Sequence, residues 1–379
     1  MSLEDLVKDG IKNIPAYIPG DTAESVEKKY GIAPEDILKL ASNENQFGPS
    51  PKAIEAMAKE VGRVHIYPDP FCIEIRKKIG VMNGFDDSGD NVVIAVGASG
   101  ILSLLGEVFI KKGDEVIFCE PTFGAYAGAV IRNDGTPVVL PLTEDLKFDL
   151  KAMYNAITDK TKMICICNPN NPTSSAILRS DMERLLTFCE QHDIFVMIDE
   201  TYVEFAPVIE DVTAVPFTKT FKNLMVLRGV SKFFAAPGVR LGYGITGNMP
   251  FLKAMKEKQI PWSLNSLGAF AGELMLKDEE YIRQTRRLIL SEREKMYSAL
   301  KEQPAYKTYK PYANFLLVKL LQKETTAFDV FTHCVKNGLM IRDCSSFKSL
   351  DGEFIRFCVM DSKDNQRLLD ELSFLCRQK

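Results

Sequence analysis

Histidine is scarce: three in 379 residues, none in a close pair, which leaves a zinc site without its usual nitrogen ligands. Nine cysteines are present but never as a CxxC pair, and Cys165 and Cys167 alternate along an apolar run like reduced core residues. Basic charge is not in surplus. The 47 Lys and Arg against 51 Asp and Glu give a formal net charge of −4, which argues against a nucleic-acid partner. A membrane-spanning run is missing too: the uncharged stretch 91–106 is broken by glycines and stops at Glu107. Glu4, Asp5 and Asp9, with no apolar run around them, exclude an ordinary signal peptide, so a cytoplasmic location is expected. There is no internal repeat, low-complexity tract or Gly/Ser linker. What remains is an ordinary globular composition, 46% hydrophobic and 26% charged, in a chain long enough for two domains.

Between about residues 90 and 245, short apolar runs alternate with amphipathic helical stretches, the pattern of an α/β domain with a mostly parallel sheet. The residues just past the end of each run are the informative ones. "NVVIAV" (91–96) leads into Gly97-Ala98-Ser99-Gly100, and "DEVIFC" (114–119) into "EPTFGAY". "KMICIC" (162–167) leads into "NPNNPTSS", and "IFVMI" (194–198) ends at Asp199-Glu200-Thr201-Tyr202. "NLMVLR" (223–228) leads into "GVSKFFAAPGVRLGYG", where Lys232 and Arg240 stand among small and apolar residues. In open α/β sheets ligands bind beyond the carboxyl ends of the strands, so these residues can share one crevice.

The chemistry they would bring is specific. A helix opening after Gly97 offers backbone N–H groups and a positive dipole end to a phosphate, with Ser231 and Arg240 beside it. Phe123 offers a flat face, Asn171 and Tyr202 hydrogen bonds, and Asp199 a carboxylate. Lys232 offers an amine that becomes nucleophilic when burial and Arg240 lower its pKa. Taken singly, each has a plainer reading: surface lysine, helix cap, core phenylalanine, proline turn. Together, phosphate cup, flat face, acid and amine describe a site for pyridoxal 5′-phosphate, whose protonated ring stores an electron pair.

With those residues in view, the chain resembles the fold-type I pyridoxal-phosphate enzymes, in particular class I/II aminotransferases of the histidinol-phosphate aminotransferase group. The resemblance runs from "IPAYIPG" (14–20) through "LKLASNENQFGPSPKAI" (38–54), "YPDP" (67–70), "NPNNPT", "IDETY" and "SKFFAAPGVRLGY". It ends with "YANFLLVK" (312–319) and "FIRF" (354–357). It implies an α/β fold: a large domain with a mostly parallel seven-stranded sheet between helices, and a small α+β C-terminal domain. The expected division is an N-terminal arm over 1–44, a cofactor domain over 45–270 and the small domain over 271–379. A long charged helix is expected around 276–303.

The resemblance also implies roles. Lys232 matches the lysine that bonds the cofactor's aldehyde, Asp199 the partner of its ring nitrogen, and Asn171 and Tyr202 the ligands of its phenolic oxygen. Phe123 matches the stacking ring; Ala98, Ser99, Ser231 and Arg240 match the phosphate cup. Tyr67 matches a phosphate ligand reaching across a subunit boundary, which implies a homodimer with shared sites. Arg356 matches the arginine that grips a substrate carboxylate, with Arg342 and Tyr17 as further substrate ligands. Lys232, Asp199 and Tyr202 form the implied catalytic set, and no metal is expected. Three departures stand out: Ser174 after "NPNNPT" where the family usually has glycine, Ser99-Gly100 in place of an acidic pair, and Gly229 where threonine is common. The implied reaction is ping-pong transamination between histidinol phosphate and 2-oxoglutarate, a step of histidine biosynthesis. Segments 261–269 and 341–357 also look like threonine-phosphate decarboxylase, so that reaction stays open. An aromatic aminotransferase, and a binding or regulatory protein on the same fold, stay open as well.

Overall fold

The computed structural model describes residues 9–12, 14 and 20–377, and all five apolar runs singled out above are strands in it. Along the chain the strands are β1 (Leu38–Lys39), β2 (Val92–Val96), β3 (Glu115–Glu120), β4 (Thr136–Pro141), β5 (Thr161–Cys167), β6 (Phe195–Asp199) and β7 (Leu224–Gly229). They continue as β8 (Leu241–Ile245), β9 (Tyr306–Thr308), β10 (Phe315–Leu320), β11 (Leu339–Met340), β12 (Arg342–Asp343) and β13 (Phe354–Cys358). Seven of them form one sheet in the order β2-β8-β7-β6-β5-β3-β4, parallel except for β8, which runs against both neighbours.

β6 is buried along its whole length, and most of β5 and β7 is buried too, so these strands read as unbroken apolar runs with no alternation. β4 is different. It is the edge strand, half exposed, and it carries Pro137 and Pro141, which a central strand would not tolerate. β8, "LGYGI", is fully buried yet rich in glycine. Gly242 sits opposite Gly229, and a Cβ on Gly242 would collide with the Gly97 carbonyl carbon. Close approach of two backbones, not turn formation, therefore requires that glycine.

The second sheet is antiparallel, β12-β13-β10-β9, and a short parallel pair, β1-β11, ties the N-terminal segment to it. The helix Glu279–Lys301 lies between the two sheets in sequence, close to the expected 276–303. It starts on Asp278, whose carboxylate also meets Ser50 and Lys52, and places Glu279 and Glu280 at its positive end. Among the described residues no helix is long and apolar enough to cross a membrane.

Candidate active site

The carboxyl ends of the parallel strands converge as expected, and the reversed β8 closes the set. Val96 pairs with Leu241 and Gly229 with Gly242, so the chain entering β8 at Arg240 lies beside the helix starting at Gly97. Gly97 has φ +74, and a Cβ there would sit 2.6 Å from an Arg240 nitrogen. The Gly97 N–H donates to the Arg240 carbonyl at 2.9 Å, and the helix Gly97–Phe109 has no side-chain cap. Its first turn, with the exposed Ser99, thus lies next to the exposed Arg240 guanidinium, and Ser231 follows two residues after Gly229, whose Cβ would come 3.9 Å from the Ala98 nitrogen. A helix start left uncapped beside a cation suits a phosphate.

Lys232 lies in the turn after β7 and donates from Nζ to the Ser42 carbonyl at 2.7 Å. Burial first, then the Arg356 charge, pull its pKa down to about 8. Asp199 ends β6 and is buried. Its Oδ1 accepts from the Thr201 N–H at 3.0 Å and hydroxyl at 2.6 Å, and its Oδ2 accepts from the Tyr126 hydroxyl at 2.9 Å. Burial pushes the Asp199 pKa up, while the Thr201 and Tyr126 bonds hold it down. Among the described residues no cation pairs with this carboxylate. A buried acid bonded in its charged form yet lacking a counter-ion is what a protonated ring nitrogen would complete.

Tyr202 is buried and accepts from Asn43 Nδ2 at 3.2 Å; burial raises its pKa, opposed by Arg356. Asn171 Oδ1 accepts from Arg356 Nη1, and Arg356 Nη2 donates to the Ala41 carbonyl at 2.6 Å. Arg356 Nε is buried with no hydrogen-bond partner among the described residues. Without a family resemblance this arginine reads as a strand-edge surface residue; it lies instead in β13, an inner strand, and is buried. Its cross-strand partner is Arg342, which donates to the Ser346 hydroxyl at 2.7 Å. Two like charges directly opposite on neighbouring strands destabilise a sheet unless an anion joins them.

Phe123 is half-buried and meets Tyr126 edge-on, with centroids 5.8 Å apart. Tyr67 is 80% exposed and packs on Trp262, with ring centroids 5.1 Å apart. Tyr17 lies outside the described residues. At Gly229 a Cβ would come 3.1 Å from the Leu241 carbonyl, so a larger residue would need β8 to give slightly.

Sequence reasoning missed several members of the site. Tyr126, three residues after Phe123, bonds the Asp199 carboxylate, and nothing in "FGAY" distinguishes it from a core tyrosine. Glu200 and Arg228 form a buried ion pair at 2.7 Å that ties the end of β6 to the end of β7. Their signal was present: an arginine closing an apolar run and an acid directly after Asp199 each need a buried partner. Ser42, Asn43 and Asn314 were also missed. Asn314 Nδ2 donates to the Asn43 carbonyl at 3.1 Å, which fixes the segment holding Lys232.

Residues 35–372 match the family model described as aminotransferase class I and II. A histidinol-phosphate aminotransferase of Methanocaldococcus jannaschii is 35% identical over 370 residues, 97% of this chain and 96% of that protein. The crystal structure of the histidinol-phosphate aminotransferase from Clostridium acetobutylicum superimposes with a TM-score of 0.83 at 27% identity, covering 90% of this chain and all of that one. The Sinorhizobium meliloti histidinol-phosphate aminotransferase in complex with pyridoxal 5′-phosphate shares the fold, with a TM-score of 0.85 at 20% identity over 98% of each chain.

Proposed function

This chain belongs to the class I and II aminotransferases, pyridoxal-phosphate enzymes of fold type I, and we propose that it exchanges an amino group between histidinol phosphate and 2-oxoglutarate. The observation that carries the substrate reading is the Arg342–Arg356 pair, two guanidiniums opposite one another, one buried with a free Nε. Both proposed substrates bring an anion to that pair: a phosphate in one case, a second carboxylate in the other.

The cofactor, when bound, supplies a protonated ring that holds the electron pair released from the substrate's α-carbon. The chain's residues do the rest. Asp199 keeps the ring nitrogen protonated, oriented by Thr201 and Tyr126. Lys232, whose amine is half neutral at a pH of about 8, takes the α-proton and returns it to a neighbouring carbon. Asn171 and Tyr202 hold the phenolic oxygen. Ala98, Ser99, Ser231 and Arg240 anchor the phosphate and Phe123 covers the ring. Arg356 and Arg342 set the substrate anion, with Tyr17 as a further ligand. The 271–379 unit closes over the 45–270 unit, bringing Arg356 to the substrate.

A paired incubation tests the reaction. Histidinol phosphate with 2-oxoglutarate is expected to yield glutamate, and threonine phosphate alone little CO₂. CO₂ release without amino transfer would reassign the chemistry to decarboxylation. Failure of both with cofactor bound would move the donor to another amino acid, such as an aromatic one.

The homodimer belongs to the same proposal. Tyr67, packed on Trp262, together with Phe71 at 67% exposure and Ile260 at 74%, leaves apolar surface in water, which suits burial against a second copy. Tyr67 would then complete the neighbouring phosphate cup. Mixing Tyr67→Ala and Lys232→Ala subunits is expected to restore about a quarter of wild-type sites, because random pairing makes half the dimers mixed, each with one intact site. No recovery despite verified subunit exchange would return Tyr67 to its own subunit.

A further inference from the structure

Ser174 occupies a position that the hydrogen bonds of the site make consequential. It is fully buried at φ +59, a left-handed conformation that costs a serine more than a glycine. Its N–H donates to the Asn170 carbonyl at 2.7 Å. Its hydroxyl accepts from two successive backbone N–H groups, Tyr312 at 3.1 Å and Ala313 at 2.8 Å, filling both oxygen lone pairs. Its carbonyl accepts from Tyr312 as well, at 2.8 Å. One side of this clip is the loop carrying Asn171, which is rigid in itself: Asn170 bonds Thr122, the Pro121 carbonyl and Thr173. The other side feeds β10, in which Leu317 pairs with Arg356 of β13. Arg356 in turn donates to Asn171. The contacts therefore close a ring: Asn171, Ser174, Ala313, β10, Arg356, Asn171.

We propose that the Ser174 hydroxyl is a positioning residue, clipping the Asn171 loop to the strand pair that carries Arg356 and so fixing the substrate-gripping guanidinium against the cofactor-side amide. Ser174 touches neither substrate nor cofactor. Its effect passes through the backbone of residues 312–317, and the strained φ is offset by two bonds that glycine could not make. The inference rests on Arg356 acting as the substrate-anion ligand.

Two substitutions separate the hydroxyl from the backbone. Ser174→Gly adopts φ +59 freely but loses both hydroxyl bonds, keeping only the backbone bond from Tyr312 to the carbonyl, and Ser174→Ala loses the same two bonds while keeping the strain. KM for both substrates is expected to rise about tenfold in each variant with kcat within about twofold, the pattern of lost uniform binding. Ser174→Ala should melt below Ser174→Gly, while the two share one KM. Amide hydrogen exchange at Ala313 should accelerate in the substrate-free protein of both, and less at Tyr312, which keeps its bond to the Ser174 carbonyl. In an Arg356→Lys background, which itself raises KM, adding Ser174→Gly should change KM little further, because both act on one contact. An unchanged KM in Ser174→Gly beside a raised KM in Arg356→Lys overturns the clip alone. An unchanged KM in Arg356→Lys overturns the anion-gripping reading, and the clip's purpose with it.

Discussion

Lys232→Ala is expected to lower turnover by about 10⁴-fold, the upper end of what one positioned proton-transferring side chain supplies. The proposed phosphate cup of Ala98, Ser99, Ser231 and Arg240 should still retain the cofactor, so the loss is expected to fall on kcat. Borohydride is expected to fix the cofactor to the wild-type chain and none to the variant. The environment of Lys232 adds a pH signature. Burial and Arg356 pull its pKa to about 8, so neutral amine accumulates as pH rises through that value. The rate at which the cofactor-free protein takes up aldehyde should climb with pH and level off above about 8. An ordinary solvated lysine would keep climbing toward about 10.4. Uptake that tracks the higher value would mean that the amine is not held by Ser42 and shadowed by Arg356. A wild-type protein that takes up no cofactor would leave only a binding role for the fold.

Legibility in the sequence tracked burial. β5, β6 and β7 lie in the middle of the sheet, so each was visible as an apolar run ending in a chemically distinctive residue. β4 and β8 belong to the same sheet but carry no such signal as runs. Prolines fit β4 because it is an edge, and glycines fit β8 because the Gly97 backbone leans on it. The site divides in the same way. As candidates, Lys232, Asp199, Asn171 and Tyr202 stand out from their places after strand ends, and Arg240 from its place in the nearly uncharged stretch after β7. The Arg342–Arg356 opposition is not, since it exists only in the register between β12 and β13, more than a hundred residues from the lysine. Ser174 was visible only as a departure from a family habit. Its meaning depends on Tyr312 and Ala313, which are 138 and 139 residues away along the chain.

Asp199→Asn is the sharper test of mechanism because shape should survive while charge is lost. The amide oxygen can still accept from the Thr201 N–H and hydroxyl, as Oδ1 does at 3.0 and 2.6 Å. The amide nitrogen can donate to Tyr126, since a hydroxyl accepts as readily as it donates. Each bond of the carboxylate thus has a replacement, so the melting temperature should stay within a few degrees and the cofactor should remain bound through Lys232 and the phosphate cup. What disappears is the negative charge proposed to face the ring nitrogen. In a buried setting a preorganised charge of this kind contributes on the order of 2–4 kcal/mol to the transition state, a loss of roughly 30- to 1,000-fold in kcat. KM should change far less, because Arg356 and Arg342 are untouched. The bound cofactor's absorbance offers a second readout, since an unprotonated ring should alter its pH dependence in the variant. If Asp199→Asn turned over at near the wild-type rate with an unchanged spectrum, the carboxylate would be only the acceptor that shapes the turn at Thr201. The lack of a cation among the described residues beside a buried, thrice-bonded acid argues against that outcome. Burial pushes the pKa of such a group up, and something positive brought to it would offset that and hold it charged.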